Sequence, residues 1–154
     1  MTDHLGGKKA LVVGGTGGIG SAVVGQLTAA GCSVVVASAD SEEKRAALTE
    51  KTGATTIALD VRSRDDVMAA LKPIEPDFLI LAHGALGQTG TLFDVPAESA
   101  QRLVDVNIIG IQNCLQAVVP SMIERNDGHV VFLGSVAIYP SVGQPIYSAT
   151  KAAV

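Results

Sequence analysis

Charge and aromatic rings are both scarce in this chain. Asp, Glu, Lys and Arg make up 17% of it and aromatic residues 3%, with no tryptophan, while 47% is hydrophobic. A charged share below the usual value of about a quarter, beside so large an apolar one, excludes a disordered or fibrous chain. No basic run exists and the formal net charge is −4, which argues against nucleic acid or an anionic membrane as partner. No apolar stretch approaches the roughly 20 residues that span a bilayer. Met1-Thr2-Asp3-His4 lacks the basic and apolar regions of a signal peptide. Cysteine is limited to Cys32 and Cys114, far apart and each among apolar neighbours. Both read as reduced core residues of a cytoplasmic protein. Neither has a second cysteine or a histidine at metal-ligand spacing, so no metal site is expected.

What is abundant is valine, alanine and glycine, the composition of a buried parallel sheet packed closely by helices. At 154 residues the chain has the length of one domain, expected to run over residues 1–154. Ala10-Leu11-Val12-Val13 reads as a buried strand. A helix follows from Gly18 to Ala30, with Ile19, Val23, Val24 and Leu27 on one face, and Gly31 stops it. Ser33 to Ala37 is the second strand, and Ser41 caps a polar helix with Glu42 and Glu43 in its first turn. Thr55 to Leu59, Phe78 to Leu81 and Val130 to Leu133 are three more strands. Helices are expected from Ser63 to Leu71, from Pro96 to Arg125 and from about Gln144. This alternation implies right-handed crossovers and a parallel sheet covered on both faces. The last helix stops at Ala152-Ala153-Val154, leaving apolar surface without its second half, so a truncated chain is expected.

Gly14-Gly15-Thr16-Gly17-Gly18-Ile19-Gly20 lies where the first strand turns into the first helix. Glycines there admit backbone angles closed to other residues and let main-chain N–H groups approach an anion. The helix N-terminus adds about half a positive charge. A glycine-rich run alone is weak evidence; its place after a buried strand and before an amphipathic helix is what points to the pyrophosphate of a dinucleotide.

Near the other end, Tyr147 and Lys151 stand four residues apart on one helix face. A lysine cation favours a phenolate, which suits general acid/base chemistry on an alcohol or carbonyl. Ser135 lies at the carboxyl end of the fifth strand, the edge where open α/β sheets bind ligands. Asn107 sits inside the apolar helical stretch Val106-Asn107-Ile108, where a structural role needs a specific partner. Taken singly, each has a plain structural explanation. Their order behind a dinucleotide loop is what singles them out.

Gly14, Gly18 and Gly20, separated by three residues and then one, with Asn107, Ser135 and the pair Tyr147 and Lys151, resemble the motifs of the short-chain dehydrogenase/reductase family along nearly the whole chain. Val13 stands where that family usually has threonine. The interval from Ser135 to Tyr147 is one residue shorter than its commonest form, a difference assigned to the loop through Pro140. The resemblance implies a Rossmann-type, doubly wound α/β fold in three layers, lacking its C-terminal strand and helices. It implies NAD or NADP as cofactor and a small-molecule alcohol or carbonyl compound as substrate.

By the same resemblance Tyr147 is the general acid/base and Lys151 lowers its pKa and bonds the nicotinamide ribose. Ser135 holds the substrate carbonyl, and Asn107 anchors a water that relays protons. The cofactor-binding set it implies is Gly14, Thr16, Gly17, Gly18, Ile19, Gly20, Ser38, Asp60, Val61, Ala82 and Gly84, with Tyr147 and Lys151. Asp60-Val61 resembles the family's adenine-contacting pair, although Asp60 could instead cap the Ser63 helix region or be a solvated turn. Ala82-His83-Gly84 falls where the family has Asn-Asn-Ala-Gly, and a place for His83 along the cofactor floor is expected. At the tip of the second strand Ser38 takes the usual acid position and Ala39 the usual arginine position, with Asp40 just beyond, so neither cofactor is favoured. A homo-oligomer is expected of the full-length protein. Two rival readings stay open at this point: a dinucleotide-binding sensor, and an inactive remnant of such an enzyme.

Overall fold

A computed structural model describes residues 5–139 and 143–154. The readings that fell on residues 1–4 and on Pro140 lie outside the described residues. The chain runs β1 (Lys9–Val13), α1 (Gly18–Ala29), β2 (Ser33–Ser38), α2 (Glu42–Thr52), β3 (Thr55–Ala58), α3 (Arg64–Leu71), β4 (Phe78–Leu81), α4 (Ala97–Val104), a π turn (Asp105–Ile109), α5 (Gly110–Arg125), β5 (His129–Phe132) and α6 (Pro145–Ala153). All five strands are parallel, in the order β3-β2-β1-β4-β5. This is the Rossmann-like α/β architecture that the resemblance implied, with the parallel sheet anticipated from the alternation.

Both faces of the central strands are dry because their successive side chains point to opposite sides and nearly all are apolar. Leu11 and Val13 of β1 join Leu79 and Leu81 of β4 under Val67, Leu71, Ile111, Cys114 and Val118 of α3 and α5. Ala10 and Val12 join Val34, Val36 and Ile80 under Val24 of α1 and Leu48 of α2. Each fully buried valine or leucine contributes about 1.5–3 kcal/mol, so β1 is the anchor of the fold.

Local signals end the elements where the sequence places them, within a residue or so. Gly31, at φ 85°, donates to Thr28 O and Cys32 to Leu27 O, closing α1 with paired C-terminal bonds. Ser41 stands at the start of α2 but makes no side-chain capping bond.

Three expectations need correction. Ile19 is 67% exposed rather than part of the buried face; it sits in the first turn of α1, beyond the reach of the sheet. The sheet is not covered on both faces at β5: Val131 and Phe132 are 47% and 42% exposed, because among the described residues only β4 flanks it. The continuous helical stretch Ala97–Arg125, 29 residues long, is by length and composition apolar enough to cross a membrane. Its Leu103, Ile111, Cys114, Ala117, Val118 and Met122 are buried, so much of that apolarity is spent on packing.

Strand order reverses between β1 and β4. The turns leaving the two strands part there and open a crevice at the carboxyl edge of the sheet.

Candidate active site

The crevice holds a cleft of about 490 Å³, lined by Gly14, Thr16 and Gly17, by Ser38 and Asp40 from the tip of β2, by Asp60 and Val61 after β3, and by Ala82, His83 and Gly84 after β4. Eight of the residues expected to bind cofactor therefore face one space. Gly18, Ile19 and Gly20 follow in the first turn of α1 outside that lining, Tyr147 lines a neighbouring cleft and Lys151 lines neither.

The glycine loop is shaped by close backbone contacts. Gly14 has φ 83°, and a Cβ there would lie 2.6 Å from both the Cα and the N of His83. A Cβ on Gly20 would overlap the carbonyl oxygen of Gly14 and lie 2.8 Å from Gly15 Cα. Above them the loop is open: nothing stands within 4 Å of where a Gly18 Cβ would be. The helix start carries no side-chain cap and no acidic residue in its first turn. First-turn N–H groups have no intrahelical acceptor. Bare donors, a positive helix end and no competing carboxylate fit a pyrophosphate, so the residues present suit a dinucleotide.

Further along, Asp60 accepts from the Arg62 main chain at 3.0 Å and pairs with its guanidinium at 2.6 Å. Arg62 beside it holds the Asp60 carboxyl below its ordinary range. Val61 is buried; its carbonyl accepts from Asn113 at 2.9 Å, and its side chain occupies the space a Cβ on Gly110 would need. The Asp60-Val61 segment is thus fixed on the helix behind it.

Asn107 is wholly buried in the π turn. Its Oδ1 accepts from Ala85 N at 2.8 Å, and its Nδ2 donates to Ala85 O at 3.0 Å and to Thr150 Oγ1 at 2.9 Å. Thr150 in turn donates to Tyr147 O at 2.8 Å. One side chain thereby ties the loop after β4 to the helix bearing Tyr147 and Lys151. Lys151 is buried and donates to Leu133 O at 2.9 Å; burial lowers its pKa. A methyl on Gly84 would sit 3.5 Å from both Asn107 Oδ1 and Lys151 Nζ, so the two polar ends converge over Gly84.

A second cleft, of about 410 Å³, is lined by Leu86, Ser135, Val136, Ala137, Tyr139, Gln144 and Tyr147. Ser135 Oγ accepts from Ala137 N at 3.1 Å, which leaves its own proton free to donate. Ser135 and Tyr147 share this cleft, whose Leu86 directly follows Gly84 and Ala85 of the first cleft's lining.

His83 was expected along the cofactor floor, and it does line the first cleft. Its ring nitrogens are buried and neither makes a hydrogen bond. Burial first, and the Lys151 ammonium second, push its pKa down to about 4. Thr150 was not anticipated; a hydroxyl one residue before Lys151 gives no pattern that separates it from any surface threonine. Among the described residues no group of His, Cys, Asp and Glu could hold a metal.

A family model described as short chain dehydrogenase matches residues 8–154. The chain is 35% identical to a 2-dehydro-3-deoxy-L-rhamnonate dehydrogenase (NAD(+)) of Sphingomonas sp. (strain SKA58), over 96% of this chain and 62% of that protein. It is 31% identical to the 3-oxoacyl-(acyl-carrier-protein) reductase FabG of Staphylococcus aureus (strain Mu50 / ATCC 700699), over 96% of this chain and 64% of that one. It thus spans about three fifths of the length of these curated relatives. A solved structure of a short chain dehydrogenase/reductase family protein superposes with a TM-score of 0.91 at 29% identity, covering 97% of this chain and 65% of the other.

Proposed function

The chain belongs to the short-chain dehydrogenase/reductase family, and on that premise we propose that it serves an NAD(P)-dependent oxidoreductase interconverting a hydroxyl and a carbonyl group on a small molecule. One observation carries the reading: the Ser135 and Tyr147 side chains line a single cleft beside the glycine-lined one. When bound, the nicotinamide dinucleotide supplies or takes the hydride.

The chain's own residues handle the oxygen and its proton. Ser135, with its proton unspent, donates to the substrate oxygen and fixes its place. Tyr147 gives that oxygen a proton when a carbonyl is reduced and takes one when an alcohol is oxidised. Lys151 holds positive charge beneath the site, kept there by the Leu133 carbonyl. Asn107 acts through its neighbours: its amide is committed to Ala85 and Thr150, so its side chain positions the loop and α6 rather than touching substrate. Leu86, Val136 and Tyr139, exposed by 58%, 90% and 74%, give the cleft an apolar rim and favour a substrate with an apolar portion.

A cytoplasmic location is supported by two free, buried cysteines, and assembly with further copies by family membership. The deciding experiment is Tyr147→Phe assayed with alcohol and carbonyl substrates and either nucleotide. Turnover should fall by at least about a hundredfold, while NADH titration gives an unchanged affinity. Retained turnover would overturn the assignment.

A further inference from the structure

Among the described residues that line the second cleft, none is charged. All of them fall in two stretches of sequence, 84–93 and 134–150, and neither stretch contains Asp, Glu, Lys, Arg or His. A chain that is 17% charged would place about five charged residues in that combined length. The polar residues of the lining, Ser135, Tyr139, Gln144 and Tyr147, offer hydroxyls and one amide.

The walls are also tied in place. Gly90 N donates to Gly143 O at 2.8 Å, which joins the loop after β4 to the turn before α6. Gln88 N donates to Ser99 Oγ at 3.3 Å. Gly87, at φ 70°, lies so close to α4 that a Cβ there would come within 2.7 Å of Leu103 Cδ1.

The cations around the site stand elsewhere. Lys151 is buried, donates to Leu133 O and lines neither cleft. Arg62 and Arg102 line the first cleft, and Arg62 is paired with Asp60. An anion entering the second cleft would give up water and find no counter-ion, a cost that hydroxyls and an amide offset only in part. An uncharged body loses little hydration there and gains contact with Leu86, Val136 and Tyr139.

We propose that the second cleft takes uncharged ketones and secondary alcohols with an apolar or aromatic body, and discriminates against substrates that carry a carboxylate or phosphate away from the reacting carbon. The proposal deepens the oxidoreductase reading and rests on it. In reduction, hydride from the bound reduced dinucleotide goes to the carbonyl carbon and the Tyr147 proton to the oxygen as the C=O π bond opens, so ketone and alcohol are both neutral.

The test uses the 154-residue chain saturated with NADH and offered acetophenone, para-acetylbenzamide and para-acetylbenzoate, of which the last two share shape and differ in charge. Ligand-observed NMR titration gives the affinities, and NADH absorbance follows turnover. The benzoate should bind at least about tenfold more weakly than the benzamide, with acetophenone within about threefold of the benzamide. Val136→Lys places a cation at a rim position that is 90% exposed and should narrow the gap to about threefold or less; circular dichroism checks that it folds. A benzoate that binds as tightly as the benzamide, a gap untouched by Val136→Lys, or no binding of either neutral ketone would each overturn the assignment. Neutral ketones bound in the expected order but never reduced would uphold the cleft's preference and bring down the oxidoreductase reading of its use.

Discussion

Asn107 offers a test in which the energetic consequence can be worked bond by bond. Replacing it with alanine removes three hydrogen bonds, two to the Ala85 main chain and one to Thr150. A net value of about 1 kcal/mol per bond sets a loss of about 3 kcal/mol, with each stranded partner able to add to it. Ala85 is half-buried, so water can recover part of the cost there; Thr150 is 2% exposed and keeps its bond to the Tyr147 carbonyl. A range of about 2–4 kcal/mol follows, a large share of an ordinary domain's stability. Thr150→Val should cost about 1–2 kcal/mol, since it strands one Asn107 proton in a site that water does not reach. The double variant should then be less damaged than the two singles combined, by about 1 kcal/mol. Urea unfolding of the four proteins measures this directly. A loss under about 1 kcal/mol for Asn107→Ala, or strict additivity in the cycle, would refute the account of Asn107 as the tie between the β4 loop and α6.

Two glycines separate stability from binding. Gly14→Ala puts a methyl 2.6 Å from His83 backbone atoms at φ 83°, where nothing can yield; about 2 kcal/mol or more of stability should be lost in urea unfolding. Gly18→Ala meets open space and should leave stability unchanged or raise it by up to about 1 kcal/mol, while calorimetric titration shows NADH affinity falling about tenfold as the methyl enters the anion's space. His83 sets a pH window. Its pKa falls from 6.5 to about 4 on folding, so the unfolded chain takes up the proton first. The neutral ring's contribution is complete above about pH 6.5 and is lost as pH falls toward about 4, at most about 3 kcal/mol in all. Urea unfolding at about pH 7 and about pH 5 should differ by roughly 2 kcal/mol more in the unsubstituted chain than in His83→Ala; equal differences would dismiss this role.

The parts of this molecule readable from its sequence are those fixed by neighbouring residues. β1 shows itself as an apolar run because both of its faces are buried, and Gly14 to Gly20 because each close approach there demands a missing side chain. The end of α1 at Gly31 is equally local. What stayed hidden depends on partners far along the chain. Asn107 signals that it needs a partner, but nothing in the order of residues says that the partner stands at Thr150, 43 positions on. Asp40 reads only as an acid just beyond the tip of the second strand until Thr16, 24 positions earlier, is seen to hold it. Ile19 misleads because an apolar residue at the right helical spacing still lies outside the core when it falls in the first turn. The sequence leaves Asp60 among an adenine contact, a helix cap and a solvated turn; its bonds to Arg62 and to the Ser63 main chain order its own turn while it lines the cleft.

Several departures from ordinary folding rules meet in one place. The π turn at Asp105–Ile109, the buried Lys151, the unbonded ring of His83, the left-handed Gly14 and the uncapped start of α1 all lie at the carboxyl edge of the sheet, around the two clefts. At the opposite edge Lys8 bonds Asp77 and Asp127 and the Lys9 main chain bonds Asp77, while the non-glycine residues Glu75 and Asn126 take left-handed backbone at φ 47° and 51°. A chain that needed only to fold would gain by capping α1 with serine or aspartate, worth about 1 kcal/mol. It would also gain by replacing the buried lysine with an apolar residue. Leaving α1 bare keeps donors free for an anion, and burying Lys151 under Gly84 keeps a cation beneath the same place. Each exception costs stability and offers a bound dinucleotide or its substrate something that water would otherwise have supplied. Their meeting around the two clefts is a physical reason to read these as a single working site.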